Sequence, residues 1–319
     1  MPESDDQEIL DQLIRGGGHP APTANPEEIA RACAIGSEER GGVGILIVSH
    51  GSHSPIWRRA LLDVQTEVAD NLLQIPSVRQ VRSAFMEYTE PSIANQLRAL
   101  DAAGIETVVI VPMLLTISDH SYDDIPVICG VREDVAIAAR LATERIETYH
   151  STARLIFAPL LDFTQLVQRN LARRLATLLG EPEALRRSSE RLGLVLVGYG
   201  SAEFDEEWNQ FFTKIDHFAE SELGVAGAIH AWCGHLVHYS PQPTVDAINR
   251  MLADYDRVAV APIFVAYDPM FHKTILGRAV SQSSSSERVV YSATAILPEP
   301  EVGRWVAAIS AEMIAAVRS

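Results

Sequence analysis

The chain repeats itself, and that repeat limits the folds open to it more than any other feature. VGILIVSHGS (43–52) is answered by LGLVLVGYGS (192–201), each an apolar run closing on Gly-Ser after one ring-bearing residue. TEPSIANQLRALDAAGIETVVIVPMLL is answered by SPQPTVDAINRMLADYDRVAVAPIFV, and the spacings Pro91–Pro112 and Pro241–Pro262 are both 21 residues. RLIFAPLLDF and its helix are echoed by RVVYSATAILPEP and a helix over 301–317. Punctuation and spacing kept together indicate an internal duplication of about 150 residues. The 319 residues therefore divide into two copies, each the size of one ordinary domain.

Within the first copy, short Val/Ile-rich runs alternate with one-sided helical patterns. GILIVS (44–49) precedes a helix with Leu61, Val64, Val68 and Leu72 on one face, and VRSAFM (81–86) precedes one carrying Ile93, Leu97 and Leu100. TVVIVPML (107–114) and RLIFAP (154–159) follow, the latter leading to a stripe of Phe163, Val167, Leu171 and Leu175. Strands apolar on both sides, separated by amphipathic helices, predict a mostly parallel sheet covered on both faces. The expected fold class is α/β, with two similar lobes of this kind. The expected boundaries are an N-terminal extension over 1–42, a first lobe over 43–180, a connector over 181–191 and a degenerate second lobe over 192–319. In the extension, Ile9, Leu10, Leu13 and Ile14 form a short amphipathic piece, GGGHPAPTANP reads as a linker, and Asn25-Pro26-Glu27-Glu28 as a helix start. SQSSSSER (281–288) reads as a surface loop.

A net charge of −16 without a basic block argues against nucleic acid or anionic lipid as the main partner. Cys33, Cys129 and Cys233 are scattered without Cys-x-x-Cys spacing, which excludes a disulfide framework and a thiolate metal site. The acidic start MPESDDQEIL lacks the pattern of a secretion signal, and no apolar run approaches the ~20 residues of a membrane span. A cytoplasmic location is expected.

In an open parallel sheet, ligands gather beyond the carboxyl ends of the strands. The first strand of the first copy ends in His50-Gly51-Ser52-His53, the second runs out into Glu87, and the third leads to TISDHSYDDIP with His120. If the three strands are neighbours, His50, Glu87 and His120 converge. Two imidazoles and a carboxylate suit Co(II), Fe(II), Ni(II) or Zn(II) and leave coordination positions open. Taken singly, each of the three has an ordinary reading as a loop or capping residue. Gly51 is expected where the backbone turns sharply or approaches something closely. By linear alignment of the repeat, His50 corresponds to Tyr199, Glu87 to Val237 and His120 to Met270, so the second copy has lost the set. It carries instead His230, His235, His238 and His272, expected to line the other wall of a cleft.

HGS after the first strand, AFMEYTEPSIANQLRALDAAGIETVVIVPMLL and DHSYDDIP together resemble the class II chelatases of the sirohydrochlorin cobalto- and ferrochelatase type. With the degenerate second copy, the resemblance covers roughly residues 43–317. It implies two α/β lobes and insertion of a divalent metal, Co²⁺, Fe²⁺ or Ni²⁺, into a sirohydrochlorin-like tetrapyrrole. His50 and His120 would then bind metal and accept protons, with Glu87 as the acidic partner. TISD replaces a glycine-rich segment of many relatives, and SYDDIP lacks their basic residue. Ser52, Arg58, Arg82 and Lys273 are the expected contacts for substrate carboxylates, beside Arg59. No Walker-type loop is present, so no ATP is expected. A downstream tetrapyrrole-pathway enzyme is the expected protein partner. The alternative reading is a non-catalytic metal or tetrapyrrole carrier. A histidine-phosphatase reading of SHGS fails because Ser49, not arginine, precedes His50.

Overall fold

The computed structural model describes residues 23–318. The amphipathic piece around Ile9, Leu10, Leu13 and Ile14 and most of the linker lie outside the described residues. The rest divides into two compact units, the first made of residues up to 163 together with 297 onward, the second of 164–296.

The first unit opens with α1 (Pro26–Ala32), whose Asn25 side chain accepts from the Glu27 N–H as an N-cap. Then come β1 (Ile35–Gly36), β2 (Val43–Ser49), α2 (Pro55–Leu73), β3 (Val78–Phe85), α3 (Ile93–Ala102) and β4 (Thr107–Pro112). A π-turn, His120–Asp124, runs into α4 (Ile125–Ile128), followed by α5 (Val135–Thr143) and β5 (Arg154–Phe157). The sheet order is β1-β3-β2-β4-β5, all parallel except the two-residue β1 at the edge. Every residue of β2 is buried, as its unbroken apolar run requires of a central strand. Ile45, Leu46, Ile47 and Val48 are at most 1% exposed, and each contributes roughly 1.5–3 kcal/mol by burial.

The second unit contains α6 (Leu166–Leu179), α7 (Pro182–Arg187), β6 (Leu192–Gly198), α8 (Asp205–Glu222), β7 (Gly227–Trp232), α9 (Gln242–Asp254) and β8 (Arg257–Pro262). A second π-turn, Met270–Leu276, leads to α10 (Gly277–Gln282) and β9 (Val289–Tyr291). Its four strands are all parallel, in the order β7-β6-β8-β9. The strand orders β3-β2-β4-β5 and β7-β6-β8-β9 are the same topology, as the duplication requires.

The lobe boundaries expected from the repeat need one correction: the closing helices are exchanged. The helix after β5 is α6, and it packs on α8 in the second unit. The last helix, α11 (Pro300–Arg318), returns to pack on α2 and β4 of the first unit. Buried Val167, Leu171 and Leu175 are the stripe expected of α6, but periodicity does not say which sheet the stripe covers. Bonds between segments far apart in the chain fix the choice. Asn170 Nδ2 donates to the Ile296 carbonyl at 3.1 Å, and Arg174 donates to the carbonyls of Pro262 (2.8 Å) and Thr294 (2.9 Å). The 181–191 connector holds the exposed turn-and-a-half of α7, and the serine-rich 281–288 stretch starts inside α10.

Candidate metal centre

Three adjacent strands carry the centre at their carboxyl ends. The ladder of β2 and β3 continues past both strands, with Met86 N–H on the Ser49 carbonyl (2.8 Å) and Glu87 N–H on the His50 carbonyl (2.9 Å). His50 and Glu87 are thereby made neighbours by backbone register. Gly51 follows at φ +108°, and a Cβ there would lie 2.0 Å from the Glu87 carbonyl oxygen. The close approach expected of this glycine is therefore to the backbone of Glu87. The π-turn beyond β4 delivers His120.

His50 Nε2 lies 2.9 Å from Glu87 Oε1 and 3.1 Å from His120 Nε2. All three donor atoms fall within 4.8 Å of one another. Donors about 2.1 Å from an ion and at right angles are about 3.0 Å apart, and the two separations from His50 Nε2 fit that spacing. The two imidazoles are 28% and 29% exposed and Glu87 only 7%, so the carboxylate is buried while the imidazole side chains are partly open to solvent. His50 Nδ1 donates to the Gly51 carbonyl at 3.0 Å, and His120 Nδ1 to Asp124 Oδ2 at 2.8 Å. Both outer nitrogens are thus spent as donors, and both Nε2 atoms point into the site. Burial alone lowers the pKa of His50. The Glu87 charge and hydrogen bond, with smaller help from the Gly51 carbonyl and Asp124, outweigh it and raise the pKa above the ordinary histidine value.

Comparison with known proteins gives the same direction. The CbiX family model matches residues 44–178. The sirohydrochlorin cobaltochelatase of Saccharolobus solfataricus is 34% identical over 92 residues, 29% of this chain and 67% of that protein. The chain belongs to the CbiX family of class II chelatases. Another relative, the sirohydrochlorin cobaltochelatase of Methanosarcina barkeri, is 32% identical over 92 residues, 29% of this chain and 68% of that one. In fold, SirB from Bacillus subtilis with Fe³⁺ superposes with a TM-score of 0.57 at 20% identity, over 85% of this chain and 95% of that one. A multi-domain protein of Deinococcus radiodurans with structural similarity to chelatases gives 0.51 at 14% identity, over 84% and 54%.

The remaining residues singled out in this CbiX chain lie elsewhere. Arg58 is buried in a bidentate pair with Glu28 (2.7 and 3.1 Å) and donates to the Ser52 carbonyl at 2.8 Å. It shapes the loop after His50 and offers nothing to a ligand, a correction to the sequence reading. The Ser52 hydroxyl accepts from the Ser54 N–H at 3.0 Å within the same loop. Arg59 is exposed, 3.9 Å from Glu27. Arg82 sits mid-strand opposite Leu46, five residues and roughly 16 Å short of Glu87. It donates to Gln80 (3.0 Å) and Gln96 (2.9 Å), so it too is set apart from the triad, and burial pulls its guanidinium below the usual range. Lys273 is exposed on the π-turn of the second unit.

The second unit corrects the linear alignment. There, Cys233 N–H bonds the Gly198 carbonyl and Gly234 N–H bonds the Tyr199 carbonyl, both at 3.0 Å. By this register, Glu87 corresponds to Gly234, not Val237. A Cβ on Gly234 would come within 2.7 Å of the Tyr199 ring, so the aromatic ring takes the room that Glu87 has in the first unit. Met270 opens the π-turn where His120 does. The four histidines of this copy form no ligand set among the described residues. His230 holds α8 to β7 through Asp216 (2.6 Å) and Asn209 (3.1 Å), and His235 contacts the Tyr199 hydroxyl at 3.3 Å. His238 caps a turn in left-handed conformation, and His272 is fully buried.

Sequence reasoning places Asp124 just past the third strand and takes it for a cap of the following turn, and it missed Arg140. Asp124 is 1% exposed, with Oδ2 on His120 and Oδ1 in an ion pair with Arg140. His-x-x-x-Asp spacing was the only local signal, and Arg140 lies 16 residues farther on.

Proposed function

We propose that this chain inserts a divalent metal, cobalt or iron, into sirohydrochlorin or a related carboxylated tetrapyrrole without ATP. The observation that carries the reading is the convergence of His50 Nε2, Glu87 Oε1 and His120 Nε2 on one partly open point. Such a set holds a hard-to-borderline cation from one side and leaves the opposite positions for incoming nitrogens. Its relatives, the sirohydrochlorin cobaltochelatases, favour the same substrate.

Insertion exchanges two pyrrolic N–H protons for M²⁺, so the site must release a cation and accept protons together. Neutral imidazole does both, and its ordinary pKa near ~6.5 suits the exchange at neutral pH. Within the donor set, the His50–Glu87 pair at 2.9 Å is the proton acceptor. His120, backed by Asp124, stays a ligand until the ring nitrogens take over. Distortion of the ring toward the metal draws on binding of its periphery.

The test is an absorbance assay with sirohydrochlorin and each of Co²⁺, Fe²⁺, Ni²⁺ and Zn²⁺. Many equivalents of metallated product per chain support a chelatase. Stoichiometric uptake without turnover supports the carrier reading instead.

A further inference from the structure

We infer that Asp124 and Arg140 form a positioning pair that makes His120 the anchoring ligand of the metal centre. The inference deepens the chelatase reading and rests on His120 being a ligand. Asp124 is one of the few buried carboxylates of the first unit, and its charge is compensated on one side only by Arg140, itself 42% exposed. Burying a carboxylate is costly, and it persists where its geometry is used. Here Oδ2 accepts from His120 Nδ1 at 2.8 Å and Oδ1 accepts from Arg140 Nη2. The bond fixes the proton on Nδ1, holds the ring plane and leaves the Nε2 lone pair facing His50 and Glu87. His50 has no such backing: its Nδ1 is held by a neutral carbonyl, that of Gly51. The two imidazoles are therefore unequal.

The duplicated unit argues against a purely local structural role. Its π-turn, Met270–Leu276, is longer than His120–Asp124, yet it has Met270 and Thr274 at the matching positions. The turn forms without an acid; the acid is present only where the histidine is.

The test is equilibrium titration of the metal-free full chain with Co²⁺ alone, followed by kcat and KM for Co²⁺ with sirohydrochlorin. Asp124→Asn keeps shape and an acceptor but loses charge, whereas Asp124→Leu loses both, and Arg140→Met frees the carboxylate. Outer-shell changes at metal sites cost about 10–100-fold in affinity. The expected order of weakening is Asp124→Leu, then Asp124→Asn, with Arg140→Met least, and KM for Co²⁺ rising more than kcat falls. In wild type, ¹⁵N NMR should find His120 protonated at Nδ1, and Asp124→Leu should abolish that preference. Should Asp124→Asn bind Co²⁺ as tightly as wild type with unchanged KM, the pair has no positioning role. Because the titration omits the tetrapyrrole, it reads this inference even if turnover fails with every metal.

Discussion

The Nε2 atoms of His50 and His120 face each other at 3.1 Å, while each Nδ1 is already committed to an acceptor. Two lone pairs do not sit at that distance, nor does a lone pair 2.9 Å from the Glu87 carboxylate, without something positive between them. A proton shared between His50 and Glu87 would supply it in the metal-free chain. A divalent cation arriving at the same point replaces it.

Removing either imidazole should therefore abolish metal uptake. His50→Ala and His120→Ala are expected to lose more than the about 100-fold typical of the largest outer-shell effects, in both Co²⁺ affinity and turnover. Both side chains are partly exposed, so circular dichroism and the unfolding midpoint should stay near wild type. Full activity in either variant would remove the mechanism.

The pH dependence has a definite sign. The folded pKa of His50 is raised, so its proton competes with the metal up to a pH above the ordinary ~6.5. Apparent Co²⁺ affinity should fall by about tenfold per pH unit once the pH is below that raised value, because binding expels one proton. Glu87→Gln should shift the fall to lower pH by removing the charge that raises His50. An affinity that stays flat between pH 8 and 5 would contradict the arrangement.

Gly51→Ala should damage the centre without touching a ligand. The new Cβ would meet the Glu87 carbonyl oxygen at 2.0 Å, at a φ of +108° that side chains rarely adopt. Strain at such positions costs about 1–3 kcal/mol before the clash is counted. Thermal unfolding should show at least that loss, and Co²⁺ affinity should drop because the His50–Glu87 ladder is pushed apart. A variant with wild-type stability and affinity would mean the loop relaxes freely.

His272 predicts acid sensitivity in the second unit. Burial, and more weakly the charge of Arg174, lower its pKa to about 4, so the native chain holds it neutral. The unfolded chain takes up that proton below pH ~6.5. Stability is therefore lost as pH falls from about 6.5 to about 4, by up to about 3 kcal/mol, and this contribution changes no further below that. Urea unfolding of wild type and His272→Gln at pH 7 and 4.5 should show a smaller acid loss in the variant. Equal losses would assign the sensitivity to other groups.

The candidate centre was legible in the sequence to the extent that its candidate donors follow apolar strands. His50 and Glu87 lie one and two residues beyond β2 and β3, and parallel register does the rest. Arg58 and Arg82 show the opposite case. A cation near a motif looks available until the fold shows Glu28 against one, and Gln80 and Gln96 against the other.

The sequence by itself determined the duplication and the parallel sheets, and put two histidines and a glutamate at strand ends as candidate donors, because strand burial and helix amphipathicity are periodic and local. Only the tertiary structure decided that α6 and α11 exchange units, that Gly234 rather than Val237 stands where Glu87 does, and that Asp124 and Arg140 back His120. The physical reason is the same in each instance. Periodicity says that a face is buried, or that a carboxylate lies near a turn, but its partner is chosen by hydrogen-bond register and packing between segments far apart in the chain.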